Sequence, residues 1–157
     1  MIAITTILLP TDGSESSKKA MAYALYLAKQ CSAKVVGLHV TGHRWERRKE
    51  RGSIGEEPDV VQKIRREEEA EEGRILQEIV DGAAQIGVAV ETRTATGSPS
   101  EEIVRLAKER LVDLIIMGTH GRTGISHFFL GSVAEKVVRW APCPVLTVPL
   151  KEHELAR

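Results

Sequence analysis

Five short apolar runs alternate along this chain with four stretches of helical periodicity, and that alternation restricts the fold more than any other feature. Ile4 to Leu9 reads as a buried strand closed by the turn Pro10-Thr11-Asp12-Gly13. Ser14 to about Cys31 carries Ala20, Ala24, Leu27 and Ala28 at helical spacing, and Lys34 to Val40 is a second strand. Pro58 to about Ile86 predicts a long helix with Val61, Ile64, Ile75, Leu76, Ile79 and Ala83 on its buried face. Val88 to Ala95 alternates as a strand does. Ser98-Pro99-Ser100-Glu101 places a cap, a first-turn proline and a glutamate at the start of a helix reaching about Leu111. Asp113 to Met117 is the fourth strand, Ser132-x-x-Glu135 reads as a capping box opening a helix to about Ala141, and Val145 to Val148 is the last strand. Strand–helix alternation with short connections implies one α/β domain, an open, mostly parallel sheet with helices on both faces. That domain spans residues 1–150, interrupted by a charged connection at 43–58 and followed by a polar tail at 151–157.

In such a sheet a ligand binds beyond the carboxyl ends of the strands, where the strand order reverses. Two turn-rich segments leave strand ends here, Pro10 to Gly13 and Gly118 to Gly131. The second carries the spacing Gly118-x2-Gly121-x9-Gly131-Ser132, between a short apolar strand and a helix start. Glycine permits close backbone approach and positive φ, and a helix N-terminus offers free N–H groups and partial positive charge. Together they describe a backbone cradle for a phosphate chain. A glycine-rich loop without a ligand is the competing reading.

Individual side chains have two roles open to them. Asp12 either accepts from ribose hydroxyls and helps to hold magnesium, or caps the first helix; Ser14 is an alternative cap that would release it. Ser132 either caps its helix through the Glu135 N–H or meets a phosphate with its own N–H. Val40 is a wall for a base or simply core, and Arg122 pairs with a terminal phosphate or is an idle surface cation. His120 and His127 share the glycine loop with no second ligand set at metal spacing, so a transition-metal site is not expected. His39 and His43 read as structural.

Composition excludes several classes. Lys+Arg and Asp+Glu are equal at 22 each, which argues against bulk nucleic-acid binding. No apolar run approaches the ~20 residues of a membrane span. The start runs directly into an apolar strand without a leader pattern, and Cys31 and Cys143 form neither a CxxC pair nor a disulfide framework, so a cytoplasmic setting is expected. The absence of asparagine, with four glutamines beside many Glu, Lys and Arg, fits adaptation to heat or ordinary variation in a short chain. Gly-x4-Gly-Lys-Ser/Thr, Gly-x-Gly-x-x-Gly, His-Glu-x-x-His and Gly-x-Ser-x-Gly are all missing, and no general base or nucleophile is visibly paired.

The residues carry a resemblance to a known family. Ile7-Leu8-Leu9-Pro10-Thr11-Asp12-Gly13-Ser14, Leu38-His39-Val40, Met117-Gly118-Thr119-His120-Gly121, Leu130-Gly131-Ser132-Val133 and Pro142-Cys143-Pro144-Val145-Leu146 follow one another in the order found in universal stress proteins, from about Thr5 to Val148. The resemblance implies a five-stranded parallel sheet of order 3-2-1-4-5, Rossmann-like and of the adenine nucleotide alpha hydrolase-like type. It also implies the ATP-binding subgroup, which has the full glycine spacing. By matching positions, Pro10, Thr11, Asp12 and Val40 would surround adenine and ribose, and Met117, Gly118, Thr119, Gly121, Gly131, Ser132 and Val133 would hold ribose and phosphates, with His120 and Arg122 in the same loop. It further implies homodimers joined through the last strand, Val145 to Val148. The expected function is nucleotide-dependent regulation by a homodimer whose 119–130 loop orders on ATP. The alternatives are a slow ATPase or phosphotransferase using Asp12, magnesium and Arg122, and an interaction protein that binds no nucleotide.

The connection departs from the compact family pattern. Five basic and two acidic residues lie between Arg44 and Arg51, and a strongly acidic run, Glu67 to Glu72, follows. The segment is either a solvated loop or a lid whose arginines close over phosphates.

Overall fold

The computed structural model describes residues 1–42, 52, 58–121 and 130–150. The strands are β1 (Thr6–Pro10), β2 (Lys34–Thr41), β3 (Val90–Thr96), β4 (Leu114–Gly118) and β5 (Val145–Val148). The helices are α1 (Glu15–Cys31), α2 (Pro58–Ile86), α3 (Pro99–Glu109) and α4 (Ser132–Trp140). The five strands form one sheet of order β3-β2-β1-β4-β5, and every pairing is parallel. β1 lies at the centre, and all five of its residues are buried. Its register pairs Thr6 with Lys34 on one side and Ile7 with Leu114 on the other.

The two-residue period of the strands divides the core into two layers. Ile7, Leu9, Val35, Leu114 and Ile116 face α1 and α2, packing on Ala20, Ala24, Ala28, Ile79 and Ala83. Leu8, Val36, Leu38, Ile115 and Met117 face α3 and α4, packing on Ile103, Leu106, Ala107, Ala134 and Val137. Alanines at every fourth position of α1 let that helix lie close on the sheet. Ser14 caps it, accepting from the Ser17 N–H at 3.3 Å.

The expected buried face of α2 is only half realised. Ile75, Ile79 and Ala83 are buried, whereas Val61 and Ile64 are half-exposed. Length is the reason. A helix of 29 residues extends ~44 Å, while the eight residues of β2 extend ~26 Å. The first turns of α2 therefore run past the sheet.

Three strands begin later than expected: β1 at Thr6 rather than Ile4, β3 at Val90 rather than Val88, and β4 at Leu114 rather than Asp113. Asp113, at the predicted start of β4, instead turns its carboxylate to the N-terminal end of β1. It accepts from the N–H groups of Thr5 and Thr6 at 2.8 and 2.9 Å and from the Thr5 hydroxyl at 2.8 Å. Those donors, the Thr5 N–H foremost, hold the carboxyl below its ordinary range. Both cysteines are free thiols, and among the described residues no helix is long and apolar enough to cross a membrane. Residues 43–51 and 53–57 of the charged connection lie outside the described residues, as do Arg122, His127 and the tail 151–157.

Candidate functional site

The strand order reverses between β1 and β4, and a cleft of about 360 Å³ opens there at the carboxyl ends of the strands. That is within the range of small-molecule sites. Pro10, Thr11, Asp12, Val40, Met117, Gly118, Thr119, His120, Gly121, Gly131, Ser132 and Val133 all line it. The glycine loop and the β1 turn, more than a hundred residues apart at their furthest, thus share one wall. Arg122 belongs to the segment outside the described residues.

The β1–α1 turn is locked by its own polar groups. Thr11 donates its N–H to the Leu38 carbonyl at 2.8 Å. Its carbonyl accepts from His39 Nδ1 at 2.8 Å, so His39 carries its proton on Nδ1. The Thr11 hydroxyl accepts from the Gly13 N–H at 3.2 Å and donates to Ser17 Oγ at 3.1 Å. Ser14, not Asp12, caps α1, so the capping role weighed for both residues belongs to Ser14. Asp12 Oδ1 accepts from the Ser14 N–H at 3.0 Å. Its Oδ2 would lie 2.8 Å from a Cβ at Gly121, so the carboxylate lies directly against the glycine loop.

The three spaced glycines serve close approach and not positive φ. None of Gly118, Gly121 and Gly131 is among the positive-φ glycines, which are Gly13, Gly52, Gly87 and Gly97. A Cβ at Gly118 would sit 2.9 Å from the Ser16 backbone, because the start of α1 lies directly over the end of β4. A Cβ at Gly131 would sit 2.8 Å from the Thr119 carbonyl oxygen, which accepts the Gly131 N–H at 2.8 Å. Thr119 also donates its N–H to Val148 at 3.1 Å. One residue therefore ties the loop to both α4 and β5.

The capping box expected at Ser132 is displaced by one residue. Gly131 is the N-cap of α4, the Glu135 N–H bonds to the Gly131 carbonyl at 2.9 Å, and no side chain caps the helix. Glu135 pairs with Arg139 instead, at 3.0 Å. Steric contact with Thr119 excludes a side chain at the cap position, so the first turn opens uncapped onto the cleft. The α3 start is similar: Ser98 is its N-cap without a side-chain bond, and Pro99 follows.

The cleft lining also has a large apolar part. Leu38, Pro99 and Ile103 join Pro10, Val40 and Met117 there. Pro99, Ile103 and Ser17 escape sequence reasoning because they sit on separate elements with no shared motif, and Leu38, though within the Leu38-His39-Val40 motif, is not among the expected site residues. Asp12 is the one acidic or basic side chain among the described residues lining the cleft, apart from the imidazole of His120. His120 Nδ1 lies 2.9 Å from Thr119 Oγ1, a contact between neighbouring side chains that no sequence motif signals. Among the described residues no three His, Cys, Asp or Glu side chains gather as a metal cluster.

The match to known proteins covers nearly the whole chain. Residues 3–149 match the model of the universal stress protein family. The chain is 37% identical over 159 residues to universal stress protein MJ0531 of Methanocaldococcus jannaschii, covering 94% of this chain and 84% of that protein. The solved structure of MJ0577, from the same organism, superposes with a TM-score of 0.80 at 30% identity, covering 96% of this chain and 99% of that one. A universal stress protein solved in complex with cAMP superposes with a TM-score of 0.70 at 28% identity, covering 95% and 99%. With the sheet order and the glycine-spaced cleft already in place, these matches establish that the chain belongs to the universal stress protein family.

Proposed function

We propose that this chain binds an adenine nucleotide, ATP in particular, in the cleft between β1 and β4 and acts as a nucleotide-dependent regulator in homodimeric form. The observation that carries the reading is the meeting of three features in one cleft: the uncapped start of α4, the Gly118–Gly121 turn and the locked β1–α1 turn. An uncapped helix start favours phosphate through its free N–H groups and its dipole. The apolar wall of Pro10, Leu38, Val40 and Ile103 suits a purine face. Asp12 suits ribose hydroxyls. It can also serve as the single carboxylate of a magnesium ion whose other ligands are phosphate oxygens and water. Phosphates then lie on the backbone N–H groups of Ser132 and Val133, beside Gly131, whose own N–H is committed to the Thr119 carbonyl. The relative solved with cAMP supports the adenine class.

Occupancy has a physical route to the outside of the molecule. Thr119 touches the cleft, α4 and β5 at once, so a ligand that holds Thr119 also biases the 119–131 loop and the edge strand. The test is calorimetric titration with magnesium ATP of wild type and Gly131→Val. The added side chain would meet the Thr119 carbonyl and close the helix start. The expected result is wild-type binding that weakens by at least about tenfold in the variant. A folded wild type that binds no nucleotide would leave the glycine spacing as scaffold.

A further inference from the structure

We infer that His120 is the residue by which this cleft tells a nucleotide from a nucleoside, its Nε2–H donating to a phosphate oxygen. The inference rests on the nucleotide reading above.

Four observations converge on the ring. Nε2 is buried and has no hydrogen-bond partner among the described residues. Nδ1 is engaged by Thr119 Oγ1 at 2.9 Å. The residue lines the cleft. Its Cα lies 3.5 Å from where a side chain at Gly131 would begin, which places it beside the uncapped start of α4. Buried polar groups nearly always have partners, and one without a partner carries a desolvation cost that a ligand can relieve.

The Thr119 contact is compatible with either ring tautomer, and the ligand selects between them. The Thr119 hydroxyl can donate to Nδ1, which puts the ring proton on Nε2 and makes it a donor. The opposite arrangement leaves Nε2 an acceptor. An ionised phosphate presents only acceptors, so it selects the first. The Thr119 backbone cannot swing to follow the ring, because its N–H and C=O are both committed, to Val148 and Gly131. The donor is therefore presented from a fixed point, next to N–H groups that favour the same anion. Asp12, the one carboxylate among the described residues lining the cleft, faces Gly121 instead, where it repels phosphate and suits a hydroxyl or a cation.

The experiment titrates AMP and adenosine into wild type, His120→Asn and His120→Gln, and follows the imidazole nitrogens of wild type by NMR. Asn keeps a polar atom near Thr119 but ends short of the Nε2 position, whereas Gln reaches it. AMP affinity is expected to fall about tenfold in His120→Asn, with adenosine unchanged and with Gln recovering most of the loss. The Nε2 resonance is expected to move on adding AMP and to stay in place with adenosine. Equal AMP affinity in wild type and His120→Asn, or an unmoved Nε2 resonance in AMP-bound wild type, overturns the inference alone. Equal weakening of AMP and adenosine does so too, since it marks a structural role. Wild type that binds neither compound overturns the nucleotide reading and this inference with it.

Discussion

At His39 a single proton shapes the β1–α1 turn. A carbonyl can only accept, so the 2.8 Å contact with the Thr11 oxygen requires Nδ1–H. A Leu-His-Val strand end reads as structural in the sequence, and it is, but what it structures is the cleft wall. His39→Phe leaves the Thr11 carbonyl without that donor; a stability loss of about 1 kcal/mol in denaturant unfolding is expected. Nucleotide affinity should fall several-fold in the same variant, and His39→Asn should recover part of both. Gly118 and Gly131 teach a related lesson. Their spacing is visible in sequence, yet the reason for it is the Ser16 backbone and the Thr119 carbonyl, which only folding brings within 3 Å.

Among the elements, α2 shows where periodicity overreaches. Val61 and Ile64 share the helical phase of Ile75 and Ile79, but they lie beyond the sheet that would bury them. Ile79→Ala is expected to cost about 2–4 kcal/mol, against about 1 kcal/mol or less for Ile64→Ala, in urea unfolding. Equal costs would mean that something covers the outer turns. The start of β1 depends on Asp113 in a way no local pattern signals. The Thr5 and Thr6 donors stabilise its ionised form, so its folded pKa lies below the unfolded value. That stability is present above the unfolded value of about 3.9 and is lost as pH falls through the lower, folded one. Asp113→Asn should therefore lower stability at pH 7 by about 1–2 kcal/mol. It should also flatten the dependence of unfolding free energy on pH below about 4 relative to wild type.

The whole molecule has two unlike sheet edges. β3 carries Glu91 and Arg93, an ion pair that also engages Arg110 and discourages strand addition. β5 offers the uncharged run Val145 to Val148, and it pairs with β4 on one side. An edge of that kind suits pairing with a second copy. Light scattering after size exclusion should give twice the chain mass for wild type and the single-chain mass for Thr147→Lys, which places a charge on that edge. A monomeric wild type would remove the dimer from the proposed function. Thr119 links this edge to the cleft, so the two halves of the proposal meet at one residue.

Local patterns sufficed for whatever depends on residues close together in the chain. The alternation of strands and helices, the helix starts to within a residue or two and the Gly-x2-Gly-x9-Gly-Ser spacing all belong here, because period and turn chemistry act over a few residues. Tertiary structure alone decided the rest. It placed Leu38, Pro99 and Ile103 in the cleft wall, gave the Thr11 carbonyl to His39, set Asp113 under β1 and moved the α4 cap from Ser132 to Gly131. Each of these depends on groups that parallel crossovers bring together from distant parts of the chain, and a sequence read locally carries no record of such meetings.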